Sequence, residues 1–214
     1  MYVFRGFTTE STVTLDSLAK SLEFGVEGIV LDICSTRDRV PVVCPDVTSP
    51  GMPVPTTSEH ELGGGLISLE RVLSSIATEV LLWVREPQIL DVVAKTVRGL
   101  HAEERAYIVV DDLLQARVVR NTLGSVKTVV RISNPFPNVA VISREGVYGI
   151  ALPATVIRPR LVKECVSRGI QVYAWLVNDV SQALRVLRYG VQLFVTSRPT
   201  LKKELENYVG ELTY

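Results

Sequence analysis

The sequence predicts an α/β protein in the form of a closed (β/α)8 barrel. Eight strand-like runs, each followed by a helical stretch, share 214 residues. The strand runs are near-continuous in apolar residues, as parallel strands covered on both faces must be. Helical stretches with apolar stripes, caps and terminal glycines separate them. Eight such repeats at this length fit a closed barrel near the lower size limit of the fold. The alternative is an open doubly wound sheet. No Gly-rich phosphate loop follows the first strand, which counts against a nucleotide-binding version.

Met1–Phe4 reads as the first strand. Thr12–Phe24 follows as a helix with Leu15, Leu18, Ala19 and Leu22 on one stripe, stopped by Gly25. Gly25–Asp46 is the stretch around which the rest is organised. It holds an apolar strand, Ile29–Ile33, a polar turn, Ser35–Arg39, and a returning run, Val40–Cys44. Alternation puts Val30 and Asp32 on one face. A carboxylate ending an otherwise apolar strand is costly unless it is exposed, paired or at work. Asp46–Leu66 is a long loop rich in Pro, Thr, Ser and Gly, of the kind that serves as a lid or binding loop. Ser68 caps a short helix through Ile76. Val80–Val84 is a strand, and Pro87 opens the next helix. Tyr107–Val110 is a strand, followed by a helix over Asp112–Leu123 that Gly124 ends. Lys127–Ile132 is another strand, and Asn134–Gly146 holds at most a short helix. Val147–Leu152, Gln171–Val177 and Val191–Thr196 complete the strands, with helices over Pro159–Ser167, Asp179–Arg188 and Pro199–Tyr208.

The length fits one domain over residues 1–214. A net charge of zero leaves no electrostatic footprint for nucleic acid or an anionic membrane. The start lacks the layout of a signal peptide, and no apolar run is long enough for membrane insertion, so the chain is read as soluble and cytoplasmic. The three cysteines have no metal spacing. Cys34 and Cys44 face each other across the hairpin, as a disulfide or, preferred here, as a reduced pair. Cys44 is read as turned away from the face that carries Asp46.

In a barrel the functional mouth lies at the C-terminal strand ends. Arg5, Asp32, Asp46, Arg85, Asp111, Arg131, Trp175, Asn178 and Ser197 fall there. Arginines and aspartates meeting at one mouth suit a phosphate or carboxylate ligand. The alternative is that Arg5 pairs with Asp32, and Arg85 with Glu86 or a neighbouring strand, only to neutralise the rim.

These residues resemble the glycerophosphodiester phosphodiesterases, barrels of the phospholipase-C-like phosphodiesterase type, also called TIM barrels. Phe4-Arg5-Gly6 stands where that family has His-Arg-Gly, and Glu10-Ser11-Thr12 where it has Glu-Asn-Thr. Gly25–Asp46 follows its signature of Gly, a Glu-x-Asp pair, Thr-Lys-Asp, Val-Pro-Val-Val and His-Asp. Ser68–Leu73 resembles the helix after its insertion. Trp83-Val84-Arg85 stands where it has Glu-x-Lys, and Trp175-Leu176-Val177-Asn178 resembles its Trp-Thr-Val-Asn. Gly190-Val191 through Val195–Pro199 resembles its closing segment.

The departures fall on the chemistry. Phe4 and Pro45 occupy the positions of the family's acid and base histidines, and neither can carry a proton. Val30 and Trp83 occupy two of its three metal-carboxylate positions, leaving Asp32. One aspartate is a poor site for Mg²⁺ or Ca²⁺, so no cofactor is expected unless the chain is active with such a metal. Two lost proton carriers remove roughly 10⁴–10⁸-fold in rate. The resemblance retains the binding side: Arg5 and Arg85 for the phosphate, with Trp175 and Asn178 around it. Asp46 and His60 are the remaining weak catalytic candidates, and His101 reads as an exposed helix-end residue. The resemblance therefore implies a protein of glycerophosphodiester or lipid metabolism. The preferred form is a pseudoenzyme that binds a small phosphate ester or glycerophosphodiester. The alternatives are an active phosphoric diester hydrolase with rearranged residues, and a non-catalytic interaction protein.

Overall fold

A computed structural model describes residues 1–6, 13–44, 66–124, 126–191 and 193–211. The strands are β1 (Tyr2–Phe4), β2 (Gly28–Ser35), β3 (Pro41–Val43), β4 (Glu79–Val84), β5 (Ala106–Val110), β6 (Lys127–Arg131), β7 (Gly149–Pro153), β8 (Gln171–Trp175) and β9 (Leu193–Thr196). The helices are α1 (Leu15–Leu22), α2 (Leu69–Ser75), α3 (Leu90–Gly99), α4 (Leu113–Leu123), α5 (Val139–Arg144), α6 (Pro159–Ser167), α7 (Val180–Arg188) and α8 (Leu201–Glu211). Each parallel strand pairs with the next one in the ring, and β1 pairs with both β2 and β9, which closes it. The eight-stranded (β/α)8 barrel is therefore as the sequence predicts, and the open sheet is excluded. Strand β3 stands outside the ring as an antiparallel return against β2, with Ile33 opposite Val43 and Cys34 opposite Val42.

Small differences at the element ends have local causes. Helix α1 starts at Leu15 because Thr14 and Ser17 form a capping box: each side-chain oxygen accepts from the other's backbone N–H, at 3.1 and 3.0 Å. Pro87 opens a 3₁₀ turn, Pro87–Ile89, before α3 begins. Asn134–Gly146 yields only the six-residue α5, capped by Asn138.

Alternation along each strand divides the apolar residues into two cores. Ile29, Leu31 and Ile33 of β2 face the helices, with Val80, Leu82, Ile108 and Val130. Val30, Leu81, Val109, Val129, Ala151, Tyr173 and Val195 fill the barrel interior. A fully buried aliphatic or aromatic side chain contributes about 1.5–3 kcal/mol, so both layers stabilise the ring.

The N-terminal end of the interior is plugged by tyrosines around one carboxylate. Glu79 accepts hydrogen bonds from the Tyr2 and Tyr107 hydroxyls. The Lys127 ammonium lies over the Tyr107 and Tyr148 rings, 5.0 and 5.6 Å from their centroids. Glycine makes room for this plug: a Cβ at Gly28 would lie 2.5 Å from the Tyr2 ring and 2.6 Å from the Glu79 carbonyl oxygen. Among the described residues, no helix is long and apolar enough to cross a membrane.

Candidate functional site

At the C-terminal end of the ring, the site begins with an unusual backbone step. Arg5 has φ +59° and Gly6 φ +72°, directly after β1. A non-glycine residue in the left-handed region costs about 1–3 kcal/mol and persists only where its surroundings impose it. The Arg5 N–H donates to the Val30 carbonyl at 2.7 Å. Its guanidinium reaches Asp32, with Nε 2.9 Å and Nη2 2.8 Å from Oδ2.

Asp32 is fully buried. Its other oxygen, Oδ1, accepts from Arg85 Nε at 3.0 Å. A buried carboxylate is tolerable only when paired and hydrogen-bonded, and two arginines meet that need. The Arg5–Asp32 pair, which belongs to the alternative reading of a self-neutralising rim, is present. Arg85 pairs with Asp32 across the strands rather than with Glu86, whose carboxylate accepts from the Ser35 N–H and hydroxyl at 3.2 and 2.9 Å.

Next to this triad stands Trp83 from β4. Its ring centroid lies 3.4 Å from Arg85 Cζ and 3.5 Å from Arg131 Cζ. Its Nε1 donates to Asp111 Oδ2 at 3.3 Å, while Asp111 Oδ1 lies 2.9 Å from Arg131 Nη1. Trp175 packs edge-on against Trp83 and against Phe4, each with centroids 5.7 Å apart. Burial lowers the Arg131 guanidinium pKa from its ordinary value, and Asp111 opposes the shift. A cleft of about 230 Å³ opens beside these groups, lined by Asp111, Arg131, Ser133, Pro153 and Trp175 among others.

Of the residues expected at the site, Arg5, Asp32, Arg85 and Trp175 lie in this one mouth. Asn178 is engaged differently. Its Oδ1 accepts from Thr196 Oγ1, the Ser197 N–H and Ser197 Oγ at 3.0, 3.0 and 3.1 Å, tying the end of β8 to that of β9. Asp46, His60 and Pro45 lie outside the described residues. His101 is exposed at the end of α3.

The orientation of Cys44 relative to Asp46 lies outside the described residues, but the place of Cys44 itself is given. Its N–H donates to the Asp32 carbonyl at 2.9 Å, and it continues the β3 register opposite Asp32. It therefore lies on the Asp32 side of the hairpin. Its thiol is no nucleophile there: a hydrogen bond with Cys34, then burial, pushes its pKa well above the ordinary thiol range.

The parts that sequence reasoning underused are Trp83, Arg131 and Asp111. Trp83 reads from sequence as apolar filling of a vacated metal position, and Arg131 and Asp111 only as mouth residues. The available signal was that Trp83, Asp111 and Arg131 all end neighbouring strands, so their side chains share one layer.

This donor set does not fit a divalent cation. Both Asp32 oxygens already accept from arginines, and the Val30 and Trp83 side chains offer no oxygen. Two guanidiniums flank the Trp83 ring where a cation would need ligands. Among the described residues, no three His, Cys, Asp or Glu side chains are grouped to hold a metal.

A (β/α)8 barrel whose charged groups gather at the C-terminal strand ends is the architecture in which barrel enzymes place their active sites. The chain belongs to the glycerophosphoryl diester phosphodiesterase family, whose model matches residues 78–201, more than half of its length. That match begins after β3, so it excludes positions 4, 30, 32 and 45. No curated protein sequence matches the chain. Among solved structures, a glycerophosphodiester phosphodiesterase of Parabacteroides distasonis superimposes with TM-score 0.81 at 19% identity, covering 99% of this chain and 98% of that one. The enzyme of that name from Thermotoga maritima gives 0.80 at 19%, over 95% and 97%. An Oleispira antarctica phosphodiesterase, solved with its product sn-glycerol-3-phosphate, gives 0.82 at 14%, over 98% and 96%.

Proposed function

We propose that the mouth binds a small phosphate ester or glycerophosphodiester and does not hydrolyse it by the family mechanism. One observation carries the reading: Asp32, the one retained metal-carboxylate position, has both oxygens occupied by Arg5 and Arg85. The residue that would hold a metal instead holds two anion-binding side chains in place. Phe4 and Trp83 supply rings where the family supplies a proton carrier and a ligand. Catalysis by proton transfer needs a titratable group in reach of the reacting oxygen, and a ring carbon cannot provide one.

The Oleispira antarctica protein binds sn-glycerol-3-phosphate in the same fold, which supports a ligand of that class here. In this proposal Arg5 and Arg85 carry the charge of the site, and Trp175 forms its aromatic wall. The protein acts as a sensor, carrier or partner subunit in glycerophosphodiester metabolism. It resides in the cytoplasm, where Cys34, Cys44 and Cys165 stay reduced.

The test is hydrolysis of glycerophosphocholine and a chromogenic phosphodiester with Mg²⁺, Ca²⁺, Mn²⁺ or EDTA. An Asp32→Asn protein runs alongside as the contamination control. No turnover above the control is expected. Turnover that needs metal and vanishes in Asp32→Asn would overturn the pseudoenzyme reading in favour of a rearranged hydrolase. Failure of glycerol phosphate to raise the melting temperature would instead favour a structural role for the mouth charges.

A further inference from the structure

The Trp83 indole divides the mouth in two. With Arg85 Cζ 3.4 Å and Arg131 Cζ 3.5 Å from its ring centroid, the guanidiniums cannot share a face without overlapping, so they stack on opposite faces. The ring between them keeps any single anion from gripping both. Arg85 stands with Arg5 and Asp32 on one side. Arg131 stands with Asp111, Trp175 and the cleft of about 230 Å³ on the other.

Arg131 is only partly used. Among the described residues its hydrogen-bond acceptor is Asp111, met through Nη1, and its side chain is 30% exposed. Among the described residues the one buried side-chain nitrogen or oxygen without a partner is Arg185 Nε, so Nε and Nη2 of Arg131 keep access to water. Asp111, by contrast, is engaged at both oxygens, Oδ1 by Arg131 and Oδ2 by Trp83 Nε1. Ser133 adds a hydroxyl to the same wall. A second cleft of about 370 Å³ shares Asp111, Arg131 and Ser133 with the first, which leaves room for a group larger than one acid.

The rings point to the same sign of charge. An aromatic site holds an ammonium by offering it open ring faces. Here guanidiniums already lie against the rings: Arg85 and Arg131 on Trp83, Arg131 at 5.3 Å from Trp175, and Arg5 at 5.5 Å from Phe4. A cationic head group entering the cleft meets a fixed positive charge at each ring. An anion meets in-plane N–H donors, which stacking leaves uncovered.

Building on the phosphate-ester reading, we infer that the cleft beside Arg131 is a second anion subsite, which takes a carboxylate or phosphate on the ligand's alcohol part and turns away a quaternary ammonium. The ester phosphate itself stays with Arg5 and Arg85 on the far face of Trp83. The two Cζ atoms flanking the indole are at most about 7 Å apart, short enough for a three-carbon chain with an acid at each end to pass round the indole edge. The ligand class is then a phosphate ester with an acidic second group, and Arg131 determines that specificity.

The experiment is calorimetric titration in EDTA with two matched pairs of ligands. sn-Glycerol 3-phosphate and 3-phosphoglycerate differ by one carboxylate. Glycerophosphoglycerol and glycerophosphocholine differ by a quaternary ammonium in place of hydroxyl groups. In the wild type, 3-phosphoglycerate is expected to bind roughly tenfold more tightly than glycerol 3-phosphate, and glycerophosphocholine about threefold more weakly than glycerophosphoglycerol. In Arg131→Gln both ratios should fall to about one. Arg131→Lys, which keeps the charge without the planar fork, should still turn away choline but lose most of the carboxylate gain. Circular dichroism melting shows whether each variant is folded. A carboxylate gain under about twofold in the wild type overturns the inference while leaving the phosphate-ester reading intact, and that comparison needs no variant. Ratios that persist in folded Arg131→Gln overturn it too, because the selectivity then lies elsewhere. No binding of any of the four ligands ends both.

Discussion

The two ends of the barrel interior use rings and charges in opposite ways. At the N-terminal end, Glu79 is the single carboxylate among four tyrosines, and Lys127 covers two of their rings. Hydroxyls satisfy the anion, rings shield the cation, and glycines at 28 and 149 let the rings close over the axis. At the C-terminal end, Arg5, Arg85 and Arg131 outnumber Asp32 and Asp111, and Phe4, Trp83 and Trp175 carry no hydroxyl. The base is internally satisfied. Among the described residues the mouth holds three guanidiniums and two carboxylates, with guanidinium edges that face outward. The contrast teaches that an aromatic cluster with ions in a barrel is a plug or a site depending on whether its hydrogen-bonding capacity is used up internally.

The largest effect expected from breaking this contrast is at Asp32. Asp32→Ala leaves two arginines without their shared buried partner and should lower the unfolding free energy by about 3–5 kcal/mol in urea titrations. A loss under about 1 kcal/mol would show that the mouth charges are solvated and that the two ends do not differ as described. At the base, Gly28→Ala forces a methyl group against the Tyr2 ring. It should cost about 1–3 kcal/mol while leaving glycerol phosphate affinity unchanged. A binding change there would mean that the two ends are coupled through the interior. Lys127→Met removes the cation over Tyr107 and Tyr148 and should cost about 0.5–1 kcal/mol, again without a binding effect. The last effect is absent at neutral pH. Burial first, then Glu79 as hydrogen-bond acceptor, raises the pKa of Tyr2 and Tyr107 above the ordinary value of 10.0, and burial does the same for Tyr173. A folded pKa above the unfolded one means that this stability is fully present below pH 10 and is lost as pH rises beyond it. Phenolate absorbance of these three tyrosines should therefore appear only together with alkaline unfolding. Titration of all seven tyrosines in folded protein would show that the plug is open to water.

The fold was legible because it depends on patterns that survive in one sequence. Strand runs such as Val80–Val84 and Tyr107–Val110 are apolar on both faces, and residues such as Ser68, Asp112 and Gly124 mark helix ends. The Arg5–Asp32 pair was legible as an alternative, since Arg5 follows β1 and Asp32 lies in the C-terminal half of the adjacent β2. The Trp83 stack was not. It depends on rotamers of Arg85 and Arg131, and on Asp111 reaching back to the indole N–H, none of which leaves a mark at fixed sequence spacing. The hydrogen bonds that Asn178 Oδ1 accepts were hidden for the same reason. A strand-end amide looks identical in sequence whether it faces a ligand or braces the neighbouring loop.

The guanidinium stack on Trp83 also bears on evolvability. A return to the carboxylate-lined mouth of the family has no easy first step. Trp83→Glu alone would lose the ring and be captured as an ion pair by Arg85 and Arg131. Val30→Glu alone would bury a carboxylate at a position with no exposure. On the proposed function, Phe4→His alone would regain a proton carrier with no metal to act beside. Each reversion is unfavourable until the others are in place, so the mouth behaves as a ratchet: mutual dependence among a few side chains holds the present state.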